Sequence, residues 1–211
     1  MSSVAIVYHS GYGHTQVIAE EVAAGVREAG GQADLLKIEK ADQDFSEFLE
    51  RAGRADAIVF GSPTYMGSYS APMKAFIDAT SGPWSKQAWK DKLAAGFTNS
   101  GGYSGDKVNT LTSLALLAAQ HGMLWVSLGA MVEHNEKTNW EAGADKVNRL
   151  TGFLGAMAQS ENASPEVTPP SGDRKTARLL GVRVAQAADR WNAGRSAGSE
   201  DAVIVPELET A

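Results

Sequence analysis

Residues 4–23 read VAIVYHSGYGHTQVIAEEVA and decide the fold of this chain. The run Val4–Tyr8 is apolar and rich in β-branched residues, which is typical of a strand buried on both faces of a parallel sheet. Beyond a short polar turn the period changes, because Ile18, Val22 and Val26 lie on one face of a helix. The opening of the chain therefore predicts a strand, a tight loop and a helix.

The loop between this strand and helix predicts a phosphate site. It consists of Ser10, Gly11, Tyr12, Gly13, His14 and Thr15. Backbone N–H groups at a helix N-terminus attract anions, the glycines allow close approach, and the hydroxyls can donate to phosphate oxygens. The alternative is that glycine only makes the turn. A dinucleotide fingerprint is excluded because Gln16 stands where its third glycine would be, and the sequence has no P-loop motif.

The composition favours a globular domain that binds small ligands. The 211 residues carry a net charge of −6 without a basic cluster, which argues against nucleic acid and anionic membrane surfaces as partners. The absence of cysteine excludes thiolate catalysis, so redox chemistry would need a bound cofactor. Since no apolar run is long enough to span a bilayer, we expect no membrane insertion and a cytoplasmic location. We also expect no metal site.

Further strands alternate with helices along the chain. The apolar runs are residues 33–38, 55–60, 93–99 and 124–128. This alternation predicts a doubly wound parallel sheet with its ligand crevice at the carboxyl ends of the strands. Two more loops rich in glycine, hydroxyl and aromatic residues, 61–70 and 100–105, follow the third and fourth strands. Three such loops at one edge predict a nucleotide crevice, with phosphate in the first loop and a flat ring between the other two.

The remainder of the chain is less regular. We expect residues 130–172 to form a long excursion that acts as a lid or a subunit contact over the crevice, with a helix around Asp145–Gln159. A final amphipathic helix is predicted with Asp173 as its cap. Residues 196–211 are expected to be a disordered tail, which leaves one domain of residues 1–195.

Several motifs resemble those of one known family. SGYGHT follows the first strand, GSPTYMGSYSAPMKAFIDAT follows the third, FTNSGGYSG covers the end of the fourth, and SGPW and QHGM precede the fourth and fifth. Together they resemble the flavodoxin-like FMN proteins, and more narrowly the WrbA type of NAD(P)H:quinone oxidoreductase and the related NADPH-dependent FMN reductases. The resemblance implies an α/β fold, a flavodoxin-like doubly wound five-stranded parallel sheet in the order 2-1-3-4-5 with helices on both faces.

The resemblance also implies which residues bind the ligands. The loop Ser10–Thr15 would hold the FMN phosphate, and the two later loops would hold the isoalloxazine. Their members are Pro63, Thr64, Tyr65, Met66 and Gly67 in the second loop, and Asn99, Ser100, Gly101, Gly102, Tyr103 and Ser104 in the third. Tyr12 would contact the nicotinamide and Trp84 the quinone, while Tyr65 and His121 would assist protonation.

Two positions near these motifs leave a choice open. The family often has His-His-Gly where this chain has Gln120-His121-Gly122, so either Gln120 or His121 would face the flavin. Lys107 is the nearby candidate for contact with a 2′-phosphate, since no arginine lies in the crevice loops.

The activity implied by the resemblance is FMN-dependent reduction of quinones, or similar small acceptors, by NADH or NADPH. Hydride would pass through FMN N5 in a ping-pong cycle. A flavodoxin-type electron carrier and a non-catalytic flavin-binding regulator are the alternatives. Carriers usually display a dense acidic face around the flavin, whereas the crevice loops hold a single acid, Asp106. A homodimer or homotetramer is also expected.

Overall fold

The computed structural model describes residues 1–133 and 143–197 of the chain. The strands are β1 (Ser3–His9), β2 (Gln32–Ile38), β3 (Ala57–Tyr65), β4 (Ser68–Tyr69), β5 (Leu93–Ser100), β6 (Leu124–Trp125) and β7 (Ala156–Gln159). The helices are α1 (His14–Glu28), α2 (Ser46–Arg54), α3 (Ala71–Ala79), α4 (Ser81–Ser85), α5 (Lys107–Gln120) and α6 (Ser171–Ala197).

The main sheet is parallel, and its strands lie in the order β2-β1-β3-β5-β6. The register pairs Val4 of β1 with Ala57 of β3, and Ala57 with Leu93 of β5. The first to fifth predicted strands correspond to β1, β2, β3, β5 and β6, so the predicted fold and strand order are confirmed. Because the strands are parallel, β1, β3 and β5 end at one edge, here called the carboxyl edge, and the opposite one is the amino edge.

Two short segments share the fifth position of the sheet. β6 pairs Leu124 and Trp125 with the first residues of β5, whereas β7 pairs with the last four, Phe97–Ser100. The predicted helix around Asp145–Gln159 is therefore wrong, and the predicted strand 124–128 ends at Trp125. The unpaired ladder of β5 outweighs the helix propensity of Ala156 and Met157, because buried backbone groups need hydrogen-bond partners.

The core consists of one apolar layer on each face of the sheet. Alternate side chains of β1 point to opposite faces, so Val4, Ile6 and Tyr8 pack with α1 and α6. Ala5 and Val7 pack on the other face, in the cluster that includes Trp89. Burial of this kind on both faces is what the continuous apolar run of the first strand predicts.

The helices α1 and α6 approach until their backbones touch. A Cβ on Gly25 would lie 1.9 Å from the carbonyl oxygen of Arg178, and one on Gly181 would lie 2.0 Å from that of Val22. Glycine at both positions permits this contact. The predicted final helix thus covers one face of the sheet, but it begins at Ser171, so Asp173 lies within its first turn and is not its cap.

The last helix continues through residue 197, and residues 198–211 of the expected tail lie outside the described residues, as do residues 134–142 of the expected lid. Within residues 1–133 and 143–197, no helix is both long and apolar enough to cross a membrane. The same residues hold no group of three or more side chains suited to a metal ion.

Candidate functional site

A cavity of about 570 Å3 lies at the carboxyl edge of the sheet. Four segments line it: Tyr12, His14 and Thr15 from the first predicted loop, Pro63, Thr64 and Tyr65 from the second, Asn99, Ser100 and Gly101 from the third, and Ser160–Ser164 after β7. The structure therefore brings together members of all three predicted loops. A cavity of this size suits a nucleotide-sized ligand.

The first loop ends on the N-terminus of α1. Gly13 is the N-cap with φ 88°, and the Ser10 hydroxyl accepts a hydrogen bond from the Gln16 N–H at 3.1 Å. The first N–H groups of a helix have no partners within it, so those of this loop are available to an anion. Thr15 is buried beside them, and Nε2 of His14 lies 2.8 Å from the carbonyl oxygen of Ala163.

Glycine at both positions of the first loop keeps space that a side chain would fill. A Cβ on Gly11 would lie 2.6 Å from the Tyr65 hydroxyl, and one on Gly13 would lie 2.5 Å from Cγ of Pro165. Gly13 also has a left-handed backbone that residues with a Cβ rarely adopt. The loop thus fits a phosphate group held by backbone N–H donors.

The second loop is a hairpin, because β4 pairs antiparallel with the end of β3. Its turn residues, Met66 and Gly67, both have positive φ, as a two-residue turn of this kind requires. Met66 is fully exposed at the tip and does not line the cavity. The hairpin directs Tyr65 toward the first loop, where its ring meets that of Tyr12 edge to face at 6.3 Å.

Three threonine hydroxyls meet beneath the cavity. The Thr64 Oγ1 lies 2.8 Å from Oγ1 of Thr98 and 2.8 Å from Oγ1 of Thr110. Thr98 and Thr110 are completely buried, whereas Thr64 lines the cavity. Since a hydroxyl has one proton and two lone pairs, these contacts restrict the direction in which Thr64 can donate.

The third loop is held from behind through four successive carbonyl groups. The Ser160 N–H donates to the Ser100 carbonyl at 3.0 Å, and Nε2 of Gln159 donates to that of Gly101 at 2.9 Å. Nζ of Lys107 donates to the carbonyls of Gly102 and Tyr103 at 2.7 and 2.8 Å. Because C=O and N–H point in opposite directions across a trans peptide, the N–H groups of residues 101–104 face away from these anchors. They are donors available to an electron-rich ligand.

Lys107 does not line the cavity at the carboxyl edge. It is 1% exposed, and its third proton goes to the Ser100 hydroxyl at 2.8 Å. The expectation that Lys107 contacts a 2′-phosphate is therefore wrong, because protein acceptors take all three of its protons. Burial lowers the pKa of Lys107 well below its ordinary value, to about 8.

The fourth wall of the cavity belongs to residues 130–172, which the sequence placed over the crevice as a lid or subunit contact without naming a site residue among them. The hydroxyl of Ser160 donates to Oδ1 of Asn99 at 2.7 Å, so this wall fixes the side chain of a predicted site residue. Asp173 holds the segment in place by accepting from the Gln159 N–H at 2.8 Å and from Arg149 at 2.7 and 2.9 Å. The signal available was a short apolar run, 156–158, followed directly by the polar residues 159–162.

Three predicted site residues, Trp84, Gln120 and His121, lie away from the cavity. α5 starts at the carboxyl edge and ends next to the start of β6, so Gln120 and His121 are at the amino edge. Trp84 lies in α4, and its carbonyl accepts a hydrogen bond from Gln87, whose side chain also donates to the carbonyl of Gln120. None of the three lines the cavity.

His121 is a core residue in this structure, which corrects its assignment to catalysis. It is 1% exposed, its ring lies 4.5 Å from that of Trp89, and Nε2 lies 3.0 Å from the Thr80 hydroxyl. Burial lowers its pKa, so the neutral form is favoured. At the amino edge it cannot reach a ligand in the cavity of its own chain.

Comparisons with a protein-family model and with known proteins identify the family of this chain. The model of the family described as NADPH-dependent FMN reductase matches residues 9–137. "Flavodoxin FldP" of Pseudomonas aeruginosa is 39% identical over 193 residues, covering 92% of this chain and all of its own length. An "NAD(P)H dehydrogenase (quinone)" of Gluconacetobacter diazotrophicus is 31% identical over 209 residues, covering 92% of this chain and all of its own.

A solved structure extends the likeness to three dimensions. The WrbA-like flavodoxin of Agrobacterium tumefaciens is 42% identical and matches with a TM-score of 0.71, covering 90% of this chain and 99% of that one. The family model spans more than half of the chain, and the cavity offers N–H donors for a phosphate together with space for a flat ring. The chain therefore belongs to the NADPH-dependent FMN reductase family and is an FMN-dependent oxidoreductase of flavodoxin-like fold.

Proposed function

We propose that this protein transfers two electrons from NADH or NADPH to a quinone, or a similar small acceptor, through FMN in the carboxyl-edge cavity. FMN supplies the hydride acceptance and donation that no side chain of a cysteine-free chain provides. The observation that supports this most is an open cavity with an aromatic rim, where Tyr12 is 76% and Tyr65 39% exposed. Exposed rings at the mouth suit the stacking of a planar donor or acceptor.

The first and third loops would hold the cofactor at its two ends. N–H groups at the start of α1, with the hydroxyl protons of Ser10 and Thr15, would bind the phosphate. The outward N–H groups of residues 101–104 would stabilise negative charge on the electron-rich end of the ring, as an oxyanion hole does. The Thr64 hydroxyl, whose direction is restricted by two other threonines, would donate a hydrogen bond to the part of the cofactor between these two ends.

Tyr65 is the proposed proton donor. Its hydroxyl lies over the first loop, within 2.6 Å of the Cβ position of Gly11. Burial raises the pKa of Tyr65, so the phenol stays protonated at neutral pH and can donate to an acceptor oxygen. Tyr12, which meets it edge to face, would contact the nicotinamide.

A flavodoxin-type electron carrier is the second candidate. The relative named flavodoxin in Pseudomonas aeruginosa, at 39% identity, favours it. The lining of the cavity speaks against it, because Glu161 is the single acid among the residues that line the cavity, and a carrier that docks on redox partners usually surrounds its flavin with acids.

The test is anaerobic reduction of the FMN-loaded protein by NADPH or NADH, followed by addition of a quinone. We expect the visible flavin absorbance to bleach with the nucleotide and to return with the quinone. Tyr65→Phe removes only the hydroxyl and should slow quinone reduction by about tenfold or more. Tyr69→Phe, on the hairpin partner strand outside the cavity lining, is the matched control and should match wild type.

Failure of both nucleotides to reduce a bound flavin that dithionite reduces would reject the enzyme and favour the carrier. The expected homodimer or homotetramer and the cytoplasmic location stay predictions, to be checked by light scattering and by cell fractionation.

A further inference from the structure

Lys107 is a buried ammonium group that the proposed reaction leaves unexplained. It is the first residue of α5, where the positive end of the helix dipole already disfavours a cation. Its three hydrogen bonds all go to neutral oxygens, on Ser100, Gly102 and Tyr103. In the described part of the chain, no carboxylate lies within 4.0 Å of this ammonium. A charge buried under these conditions is costly, and something must offset it.

Two charged side chains near Lys107 act on it in opposite senses. Asp173 on α6 attracts it and Arg149, before β7, repels it, but these two side chains form a salt bridge with each other at 2.7 Å. The neighbouring Asp106 is exposed, and its side chain makes no capping hydrogen bond to α5. Within residues 1–133 and 143–197, the ammonium of Lys107 therefore has no carboxylate in direct contact, and the nearby Asp173 is shared with Arg149.

The hydrogen bonds of Lys107 all lead to the loop that borders the cavity. Ser100 lines the cavity, and its hydroxyl is 2.8 Å from Nζ of Lys107, so the ammonium lies one hydrogen bond behind the wall. By holding two carbonyls, it also turns the N–H groups of residues 103 and 104 outward. The charge of Lys107 thus lies close behind the cavity wall, and the N–H dipoles that it orients face away from it.

Reduction changes the charge that this loop faces. A hydride, which carries two electrons and one proton, converts the neutral oxidised flavin ring into a reduced ring with one negative charge, and the nicotinamide leaves in its oxidised form. We propose that Lys107 is a positioning residue whose buried positive charge stabilises the reduced, anionic form of bound FMN and so raises its reduction potential. This inference rests on FMN occupying the cavity and is independent of the electron acceptor.

The experiment measures the two-electron potential of FMN bound to wild type and to Lys107→Met, with dithionite as reductant. We expect the variant to favour the oxidised form at least tenfold more than wild type does, equal to a potential lower by about 30 mV. Lys92→Met is the matched control, because Lys92 is half-buried and donates to the carbonyl of Ala55 at the amino edge. Its potential should equal that of wild type.

The dependence on pH separates charge from shape. Lys107 loses its proton above its pKa of about 8. The difference between wild type and Lys107→Met should therefore be largest near pH 7 and shrink toward about pH 10. An equal difference at both pH values would show that the variant acts through altered loop shape, and no difference at pH 7 would show that the charge has no effect. Either result overturns the proposal.

Two measurements keep the test decisive if Lys107→Met binds FMN poorly. Lys107→Gln retains a donor without the charge and should show the same lowered potential. In wild type alone, the plot of potential against pH should bend as Lys107 titrates, and a single straight line between about pH 7 and pH 10 would reject the proposal. Since dithionite supplies the electrons, inactivity toward NADPH or quinone would reject only the proposed function.

Discussion

Breaking the Arg149–Asp173 pair should destabilise the protein far more than breaking a similar pair on its surface. The two side chains are 6% and 1% exposed, and their contacts at 2.7 and 2.9 Å form a two-pronged bridge. Arg149→Met would leave the Asp173 carboxylate buried, with the Gln159 N–H as its remaining partner. Removing one member of a buried pair costs about 3–5 kcal/mol, so we expect that loss in the free energy of unfolding.

The control is the pair between Arg178 and Glu21, in which two guanidinium nitrogens donate to the single oxygen Oε2 and the side chains are 48% and 21% exposed. Arg178→Met should cost about 0–1 kcal/mol, since water screens a pair at the surface. Urea unfolding of both variants, with equal slopes, measures the difference. In the double variant Arg149→Met/Asp173→Asn, part of the lost stability should return, because the unpaired buried charge is gone. Equal losses for Arg149→Met and Arg178→Met would refute the reasoning from burial.

Three further outcomes are expected. Gly13→Val should abolish FMN retention in a folded protein, because the new Cβ would collide with Pro165 and because the backbone at this position has a φ of 88°. The control Gly30→Val has a similar φ of 84° but no atom within 4 Å of the new Cβ, so it should retain FMN in the same equilibrium dialysis. The unfolding free energy of wild type, measured relative to that of Lys107→Met, should rise by about 2 kcal/mol between pH 7 and about pH 9.5, because the Lys107 ammonium keeps its proton to a higher pH in the unfolded chain than in the folded protein. A difference in unfolding free energy that does not change with pH in urea titrations would contradict this expectation. His121→Phe should leave the rate of flavin reduction by NADPH within about twofold of wild type in stopped-flow, and a tenfold loss would restore its catalytic assignment.

The first two loops were predictable because their chemistry is local. A strand, a glycine-rich turn and a helix follow one another within residues 4–23, and any chain that folds this way presents its N–H groups at the same edge. Tyr65 follows from the same logic, since it stands at the end of β3. In these places sequence order and spatial order agree.

His121 and Lys107 show where local reasoning fails. A histidine near a family motif and a lysine near a crevice loop are each compatible with a ligand, and only packing decides between ligand and core. The structure places one against Trp89 at the amino edge and the other behind the third loop with every proton used.

The sequence by itself determined the alternation of strands and helices and the three loops at the carboxyl edge, because apolar periodicity and turn residues act over a few neighbouring positions. The strand order was implied by the resemblance of its motifs to a known family. Only the tertiary structure decided that the fifth strand position is shared by β6 and β7, that Ser160–Ser164 closes the cavity, and that Arg149 and Asp173 hold that wall. These features join residues that are distant in the chain. They arise because β5 needs a partner along its whole length and a buried charge needs a counter-charge, and neither requirement names its partner in the sequence.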